Sequence, residues 1–304
     1  MRETESMMTP EEQRLYAENE RIRSSFKDKK RIVVKIGSSS VIHPETGGMD
    51  FVKLEKLARY LTDLHNQGKD VILVSSGAVG MGMQTMGILK RPYSIAKKQA
   101  CAAIGQGQLI GVYERFFREY NQNIAQVLLN KDVMISNERR TNAMNTFIEL
   151  LDMGVIPVVN ENDTVSTEGI EFGDNDTLAA IVCALVKGDL LIILTDIDGF
   201  YTDDPKKDPN AKIIPMVEAI DEGIEGMAKG VTSRFGTGGM AAKVAAANIC
   251  NDSGADMLIV SGKKAEIIHK VMEGENYGTV FKAHKRADFH LISYLENKTY
   301  IEGK

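Results

Sequence analysis

Residues 31–40 read RIVVKIGSSS, and the apolar run at their start predicts a β-strand that ends in a lysine and a glycine turn. A helix is predicted next, over residues 51–66, because leucines recur there every three or four positions. The apolar residues VILV at 71–74 predict a second strand. A strand, a helix and a second strand in this order form a βαβ unit, in which the two strands lie parallel.

The same alternation continues through most of the remaining sequence. Beyond residue 74 the pattern predicts, in order, a helix at 96–120, a strand at 124–129, a helix at 138–151, a strand at 155–159, a helix at 176–186, a strand at 190–194, a helix at 239–251 and a strand at 257–260. Strands without a polar alternate face are typical of a parallel sheet covered by helices on both sides. The fold class that we expect is therefore α/β, a three-layer α/β/α sandwich with an open, mainly parallel sheet.

The composition argues against several function classes. The 304 residues carry a net charge of −5, and no segment concentrates Lys and Arg, so we expect no nucleic-acid partner. Cys101, Cys183 and Cys250 are far apart in apolar stretches, which is typical of buried thiols in a reducing compartment. No apolar run approaches the roughly 20 residues that span a bilayer, so we expect no membrane association and a cytoplasmic location.

The sequence predicts one folded domain preceded by a charged extension. Residues 1–30 are dense in Glu, Arg and Lys and have few large apolar residues, so we expect an N-terminal extension that is a solvated helix or partly disordered. No linker rich in Pro, Gly or Ser interrupts the remainder. We therefore expect a single domain over 31–304 with two lobes, one at 31–168 and the other at 169–304.

Two glycine-containing turns follow predicted strands. Lys35 and Gly37 close the first strand, and residues 75–82 read SSGAVGMG after the second. Glycine lets backbone amides approach an anion, and ligands bind at the carboxyl ends of strands in open α/β sheets. For the first turn alone, a solvated lysine in an ordinary loop is an equally good interpretation. Further glycines inside the predicted helix at 96–120 are better explained by close helix packing.

Polar side chains follow two later segments. Residues 160–164 read NENDT at the end of an apolar strand, a position that suits ligand recognition, although such turns also occur for structural reasons. Residues 173–177 read GDNDT before an apolar helix. The Asp and Asn side chains there could cap the helix, and they could contact a ligand as well.

A glycine-rich helix start near the C-terminal third predicts a nucleotide-phosphate site. Residues 235–243 read FGTGGMAAK, so backbone amides, the helix dipole and Lys243 converge on one point, although a solvent-facing lysine is the alternative. A second polar turn, LTDIDGFYTDDP, occupies 194–205. Neither the dinucleotide fingerprint GxGxxG nor the Walker sequence GxxxxGK[ST] occurs, which argues against a nicotinamide dehydrogenase.

Taken in this order, the clusters resemble the amino-acid kinase superfamily and, within it, the glutamate 5-kinase family. The resemblance runs from about Arg31 to the C-terminus. Its most specific pieces are VKIGS at 34–38, SSGA at 75–78, KQACAAIGQ at 98–106, NEND at 160–163, GDND at 173–176 and GTGGM at 236–240 with Lys243. It implies ATP-dependent phosphorylation of the side-chain carboxylate of L-glutamate with Mg²⁺, the first step of proline biosynthesis.

The resemblance implies a role for each matching position. Lys35 and Lys243 would contact the transferring phosphoryl group, and Asp176 would orient both lysines. The lobe at 31–168 would bind the acidic substrate, and the lobe at 169–304 would bind the nucleotide. The positions that would hold glutamate are Ser76, Gly77, Asp163 and Asn175. The positions of the nucleotide site are Lys35, Gly37, Thr195, Asp196, Thr237, Gly238, Gly239, Met240 and Lys243.

The resemblance also bears on partners and regulation. It implies feedback inhibition by L-proline, assembly into a homo-oligomer and functional coupling to glutamyl-phosphate reductase. Many members of the family carry a C-terminal PUA domain, for which this chain has no room, and few begin with thirty residues so rich in charge. Kinases of aspartate, N-acetylglutamate, UMP or carbamate are the nearest alternatives, and an inactive ligand-sensing subunit is another.

Overall fold

The fold is taken from a computed structural model, which describes residues 9–43, 46–90, 92, 94–165, 175–205, 207–229, 239–287, 289 and 291–292. The helices are α1 Pro10–Ser25, α2 Ser38–Val41, α3 Phe51–Asn66, α4 Ala78–Thr85, α5 Ile95–Arg118, α6 Lys131–Ile135, α7 Asn137–Asp152, α8 Asn175–Leu185, α9 Glu222–Lys229, α10 Met240–Ser253 and α11 Ile267–Met272. Single 3-10 turns occupy Phe26–Asp28 and Asp163–Val165. The strands are β1 Arg31–Ile36, β2 Asp70–Ser75, β3 Ile124–Leu129, β4 Ile156–Glu161, β5 Leu190–Thr195, β6 Met216–Val217, β7 Asp256–Ser261 and β8 Thr279–Phe281.

The described strands form one eight-stranded sheet in the order β3-β4-β2-β1-β5-β7-β8-β6. Neighbouring strands are parallel except for β7 and β8, which are antiparallel. Strand β1 lies inside the sheet, where Lys35 pairs with Val74 of β2 and with Ile193 of β5. The strands β1, β2, β4 and β5 therefore end at one edge of the sheet, which we call the carboxyl edge.

Alternate residues of each strand enter two separate cores. In β1, Ile32 and Val34 join the core beneath α3, α5 and α11, whereas Val33 joins the core beneath α7, α8 and α10. Helices therefore cover both faces of the sheet, and the predicted three-layer α/β/α sandwich is confirmed. Each fully buried Val, Leu or Ile side chain stabilises this arrangement by about 1.5–3 kcal/mol relative to an exposed one.

Helices α4 and α5 cross with their backbones in contact. A Cβ atom on Gly82 would lie 1.8 Å from the carbonyl oxygen of Cys101, and one on Gly105 would lie 1.9 Å from that of Ala78. Only glycine fits at either position. Close helix packing thus explains Gly105, as the sequence predicts. A Cβ atom on Gly107 or Gly111 would have nothing within 4 Å, so close packing does not explain these two glycines.

The sequence sets the start of α1 by a capping box. The Thr9 hydroxyl accepts a hydrogen bond from the Glu12 backbone N–H at 3.2 Å, and the Thr9 backbone N–H donates to the Glu12 carboxylate at 2.7 Å. Pro10 occupies the first helical position, where its missing N–H costs nothing. These contacts satisfy donors that the first turn of a helix cannot pair internally.

The C-terminal half of α1 packs against the sheet, which differs from the solvated or partly disordered extension expected for residues 1–30. Asn19, Ile22, Arg23 and Phe26 recur at spacings of three and four residues, and all four are buried. This buried stripe is hard to recognise in the sequence, because the segment is highly charged and two members of the stripe are polar. Residues 1–8 of the extension lie outside the described residues.

The cysteines agree with the sequence analysis, since Cys101, Cys183 and Cys250 are buried and free of disulfides. Burial also raises the pKa of the Cys250 thiol. Among the helices that the structure describes, none combines the length and the apolar character needed to cross a membrane.

Candidate active site

The carboxyl edge of the sheet collects polar residues from four strands. Lys35 is the penultimate residue of β1, Ser75 ends β2, Asn160 is the penultimate residue of β4 and Thr195 ends β5. Each of these residues is buried. Because buried polar groups need partners, their concentration at one edge marks this edge as a site for ligand chemistry.

Three charged residues far apart in sequence meet at this edge. Asp176 lies in the first turn of α8 and is fully buried. The Lys35 ammonium lies 2.5 Å from its Oδ1, and the Lys243 ammonium of α10 lies 2.9 Å from its Oδ2. Each carboxylate oxygen therefore contacts a different lysine. We call Lys35, Asp176 and Lys243 the charged cluster.

The charged cluster carries more positive than negative charge. Burial would raise the pKa of Asp176, but the Lys35 and Lys243 ammonium groups act in the opposite sense, and the pKa lies below its ordinary value. Two lysines and one carboxylate leave one formal positive charge in a buried setting. A buried cluster in which two ammonium groups surround one carboxylate is suited to an anionic ligand. A side chain on Gly37 would lie 3.4 Å from the Lys35 ammonium, so its absence leaves room beside that charge.

A second cluster, without charge, lies beside the first. The Asn175 side-chain amide donates to Ser76 Oγ at 2.8 Å and to Asn160 Oδ1 at 2.9 Å, with the Ser75 carbonyl oxygen at 3.2 Å. The Asn160 amide donates in turn to Gln106 Oε1 of α5 at 2.8 Å. We call Ser76, Gln106, Asn160 and Asn175 the amide cluster.

The turn between β2 and α4 has a backbone conformation that favours glycine. Gly77 has a φ of +113°, and a Cβ atom there would lie 3.1 Å from Val41 Cγ2. This turn places the N-terminus of α4 at the carboxyl edge, where its backbone amides can meet an anion. Beneath the turn, the hydroxyl groups of Ser75 and the buried Tyr113 are 2.8 Å apart, and burial raises the pKa of Tyr113.

Asp163 belongs to the 3-10 turn that follows β4. The Asn162 backbone N–H donates to the Leu129 carbonyl at 2.8 Å, and the Thr164 hydroxyl donates to Asn162 Oδ1 at 2.6 Å, which together fix this turn. The Asp163 side chain is half-buried. The next residues, 166–174, lie outside the described part of the chain.

The positions predicted to bind nucleotide lie at β5 and at the start of α10. The Thr195 hydroxyl donates to Asp196 Oδ1 at 3.1 Å, and the Asp196 side chain is exposed. Gly239 immediately precedes α10, whose first residue, Met240, is buried. Lys243 follows in the first turn of the helix. Thr237 and Gly238, which were also predicted to bind nucleotide, lie outside the described residues.

Sequence reasoning did not assign a role to two residues of the amide cluster. Asn160 lies in the NENDT segment, whose position suits ligand recognition, but it is not among the predicted site residues, and Gln106 stands in a quoted motif without a predicted role. The signal that could have found Gln106 is that it is one of two glutamines, with Gln108, in a helix segment whose other residues from 100 to 112 are small or apolar. Its partner could not be inferred from the helix alone, because the contact joins α5 to β4.

The described residues offer no ready-made metal site. Within them, no group of three or more His, Cys, Asp or Glu side chains is arranged to hold a metal ion. Both oxygens of Asp176 contact lysines instead. The residues present therefore do not fit a protein cage for Mg²⁺, and we assign the ion no protein ligand.

The matches to known proteins agree with this geometry. A model of the amino acid kinase family matches residues 30–261. The chain is 48% identical over 251 residues to a glutamate 5-kinase of Clostridium acetobutylicum, a match that covers 83% of this chain and 94% of that protein. The chain belongs to the glutamate 5-kinase family. A family member from Clostridium tetani is 49% identical over 86% of this chain and 97% of its own length. A member from Carboxydothermus hydrogenoformans is 47% identical, and the match covers 87% of this chain but 71% of that protein.

Solved structures of lower identity share the fold. A UMP kinase from Ureaplasma parvum superposes with a TM-score of 0.58 at 19% identity, covering 84% of this chain and 99% of that one. An isopentenyl phosphate kinase from T. acidophilum gives a TM-score of 0.56 at 19% identity, covering 83% of this chain and 100% of that one. At such identity the likeness concerns the amino-acid kinase fold alone.

Proposed function

We propose that this protein transfers the γ-phosphoryl group of ATP to the side-chain carboxylate of L-glutamate, giving L-glutamyl 5-phosphate and ADP in proline biosynthesis. The observation that carries the proposal is the charged cluster, in which one buried aspartate holds two lysine ammonium groups at the carboxyl edge. Membership of the glutamate 5-kinase family supports glutamate as the acceptor.

The reaction needs positioning and charge neutralisation more than proton transfer. A glutamate side chain has a pKa of about 4.3, so its carboxylate is already ionised at neutral pH and needs no general base. The obstacle is repulsion, since an anion must approach the polyanionic γ-phosphate in line with the bond that breaks. Donors aimed at the transferring oxygens lower that barrier, because negative charge is spread over them in the transition state.

The charged cluster supplies such donors. Lys35 approaches from β1 and Lys243 from α10, so the two ammonium groups can contact the transferring phosphoryl group from different elements. Asp176 orients both lysine side chains. Because its contacts already restrict them, less conformational entropy is lost when the phosphoryl group binds. The two ammonium groups stabilise the negative charge that is spread over the transferring phosphoryl oxygens.

The amide cluster and its surroundings form the proposed glutamate site, which lies in the lobe at 31–168 and takes Asn175 from the start of the other lobe. Asn175 and Ser76 offer neutral polar atoms, and the amides near Gly77 suit a carboxylate. Asp163 is assigned the α-ammonium group, because a charge-assisted hydrogen bond contributes roughly 1.5–3 kcal/mol. Gln106 keeps Asn160 in place through the hydrogen bond at 2.8 Å.

The nucleotide is assigned to the lobe at 169–304. Thr195 ends β5 and Asp196 follows it. At the start of α10, Gly239, Met240 and Lys243 contribute backbone amides, the helix dipole and a cation. Thr237 and Gly238 complete this proposed set from outside the described residues. Mg²⁺ often binds through substrate phosphates and water rather than through a protein cage, and we propose that it arrives with ATP in this way.

A hydroxamate assay tests the reaction and the acceptor together. The protein is incubated with ATP, Mg²⁺, hydroxylamine and, in separate reactions, L-glutamate, L-aspartate or N-acetyl-L-glutamate, while UMP-dependent ADP release is followed in parallel. We expect hydroxamate only with L-glutamate, since an acyl phosphate reacts with hydroxylamine. Hydroxamate formation with another acid alone would reassign the substrate, and the absence of ADP release with every acceptor would indicate an inactive ligand-sensing subunit.

We also propose that L-proline, the end product of the pathway, inhibits the enzyme at or next to the glutamate site near residues 160–171, of which 166–171 lie outside the described part. Glutamate-dependent turnover measured near the KM for glutamate should fall as proline rises through the millimolar range. A flat rate across that range would contradict the proposal. Homo-oligomeric assembly, coupling to glutamyl-phosphate reductase and a cytoplasmic location stay predictions of the family resemblance.

A further inference from the structure

Arg23 of α1 is fully buried, and backbone carbonyls are its main acceptors. Its guanidinium donates to the carbonyl oxygen of Tyr277 at 2.6 Å and to those of Pro215 and Gly278 at 3.0 Å each. A fourth hydrogen bond, at 2.9 Å, goes from Nε to Asn19 Oδ1 on the same helix. Burial lowers the pKa of Arg23 to about 10, so the side chain is still charged at neutral pH.

The three carbonyls belong to two chain segments that meet at the edge of the sheet. Pro215 directly precedes β6, and Tyr277 with Gly278 directly precedes β8. The Pro215 carbonyl also accepts from the Val280 backbone N–H at 3.0 Å, which begins the pairing of the two strands. The planar fork of an arginine can serve several acceptors at fixed angles, so Arg23 fixes the two segments relative to each other.

One of these segments is the end of the connection that leaves the proposed nucleotide site. Residues 196–215 run from the end of β5 to the start of β6. Thr279, next to Gly278, ties this connection together. Its Oγ1 accepts from the Phe200 backbone N–H at 2.8 Å and donates to the Ile214 carbonyl at 2.6 Å. The base of the connection is thus held by Thr279 on one side and by Arg23 on the other.

We propose that Arg23 is a positioning residue for nucleotide binding, which acts by fixing the connection 196–215 and so the placement of Asp196 at its start. The inference rests on the proposed function, since it takes Thr195 and Asp196 to be part of the ATP site. Arg23 itself contacts no proposed ligand position. Helix α1 lies outside the residues matched by the family model, which begins at residue 30.

A purely structural role for Arg23 predicts a different result. If the side chain only anchored α1, its replacement would lower the melting temperature and the fraction of folded enzyme. The folded enzyme would then bind ATP and glutamate as before. A selective loss of ATP affinity therefore distinguishes positioning from anchoring.

The test replaces Arg23 with lysine, which keeps the charge but lacks the planar fork whose two terminal nitrogens reach the three carbonyls. We expect the KM for ATP and the dissociation constant from direct ATP titration to rise about fivefold, while the KM for glutamate stays within about twofold. The matched control is Arg14→Ala on the same helix, which removes a partly exposed ion pair with Glu218 at 2.6 Å and should alter neither constant. Unchanged ATP constants in Arg23→Lys, or equal shifts for both substrates, would overturn the inference.

A second variant decides the question if Arg23→Lys does not fold. Asn19→Ala removes the acceptor that orients Nε and leaves the arginine in place. We expect a rise of about twofold in the ATP constants with the glutamate KM unchanged, and no rise would overturn the inference. Direct titration also separates the two proposals. A wild-type protein that binds ATP but does not phosphorylate glutamate would refute the proposed function, and the ATP comparison would still decide the role of Arg23.

Discussion

Two neighbouring residues at the start of α8 belong to different kinds of polar cluster. Asp176 takes part in the charged cluster, where it contacts Lys35 at 2.5 Å and Lys243 at 2.9 Å. Asn175 takes part in the amide cluster, where its side chain donates to two neutral side-chain oxygens. The charged cluster is buried, whereas three of the four residues of the amide cluster are half-buried. One cluster concentrates charge and the other contains none.

Under the proposed function, we expect this difference to divide the tasks of the site between phosphoryl transfer and substrate binding. Hydrogen bonds between neutral groups contribute about 0.5–1.5 kcal/mol, whereas those to charged groups contribute about 1.5–3 kcal/mol. A strong electrostatic field is useful where charge is redistributed during the reaction. In phosphoryl transfer that place is the phosphoryl group. Neutral amide groups suit the recognition of the part of glutamate whose charge does not change during the reaction. Substitutions in the two clusters should therefore have effects of different kind and size.

The largest effect is expected for the lysines of the charged cluster. Lys35→Ala and Lys243→Ala should each lower kcat by about 10²–10³, because each removes a charge that stabilises the transition state. The measurement is steady-state ADP release with saturating glutamate and ATP. Lys30→Ala is the matched control, since this exposed lysine precedes β1 at the end of the strand opposite to Lys35. Turnover near that of the wild type in either variant would remove that lysine from the phosphoryl site.

A smaller effect, confined to one substrate, is expected at Asp163. Asp163→Asn keeps the size of the side chain but removes its charge, so the KM for glutamate should rise at least about tenfold, equivalent to roughly 1.4 kcal/mol. The KM for ATP should not change. If Asp163 only stabilises the turn after β4, the melting temperature would fall and the glutamate KM would stay constant. Measuring both Michaelis constants and the melting temperature on one preparation separates these outcomes.

The amide cluster should respond still more weakly. Asn175→Ala removes the hydrogen bonds to Ser76 and Asn160 but no charge, and we expect the KM for glutamate to rise about fivefold, near 1 kcal/mol. The kcat should fall far less than in the lysine variants. A kcat loss as large as that of Lys35→Ala would mean that the two clusters do not divide their tasks. Thermal unfolding of the same variant reports how much of the change is structural.

The smallest effect on activity near neutral pH is expected from titration of Asp176, because this group changes its protonation state only in acid. Its pKa is lower in the folded protein than in the unfolded chain, so its contribution to stability is fully present above about pH 4 and is lost as the pH falls through the folded value. The unfolding free energy of the wild type and of Asp176→Asn should therefore differ most above pH 5 and converge in acid. Urea unfolding at several pH values measures this. A difference that stays constant down to pH 3 would contradict the assignment.

The sequence predicted the sheet well because its signals are local. The strands β1 to β5 and β7 are apolar runs bounded by polar or glycine residues, and each begins and ends within about two residues of its predicted position. The charged cluster was predictable for a different reason, since Lys35, Asp176 and Lys243 stand in motifs that the family resemblance singles out. Their mutual contact, however, needed the fold, because β1, α8 and α10 are distant in sequence.

What the sequence could not supply depends on contacts between distant segments. Strands β6 and β8 have two and three residues, too few for a periodic pattern. The docking of α1 depends on Arg23, which donates to three backbone carbonyls. Every residue has a backbone carbonyl, so the residue types do not indicate which ones accept these hydrogen bonds. The pairing of Asn160 with Gln106 likewise joins a strand to a helix 54 positions away.

The contact between Arg23 and Gly278 has a consequence for how the protein is made. The two residues are 255 positions apart. At about 5–20 residues per second, the ribosome completes the second partner roughly 13–50 s after the first, far longer than a helix needs to form. During that interval Arg23 of α1 cannot make its hydrogen bonds to Tyr277 and Gly278. A helix produced early thus docks late, and nascent chains halted before β8 are the species most exposed to aggregation and to chaperone capture.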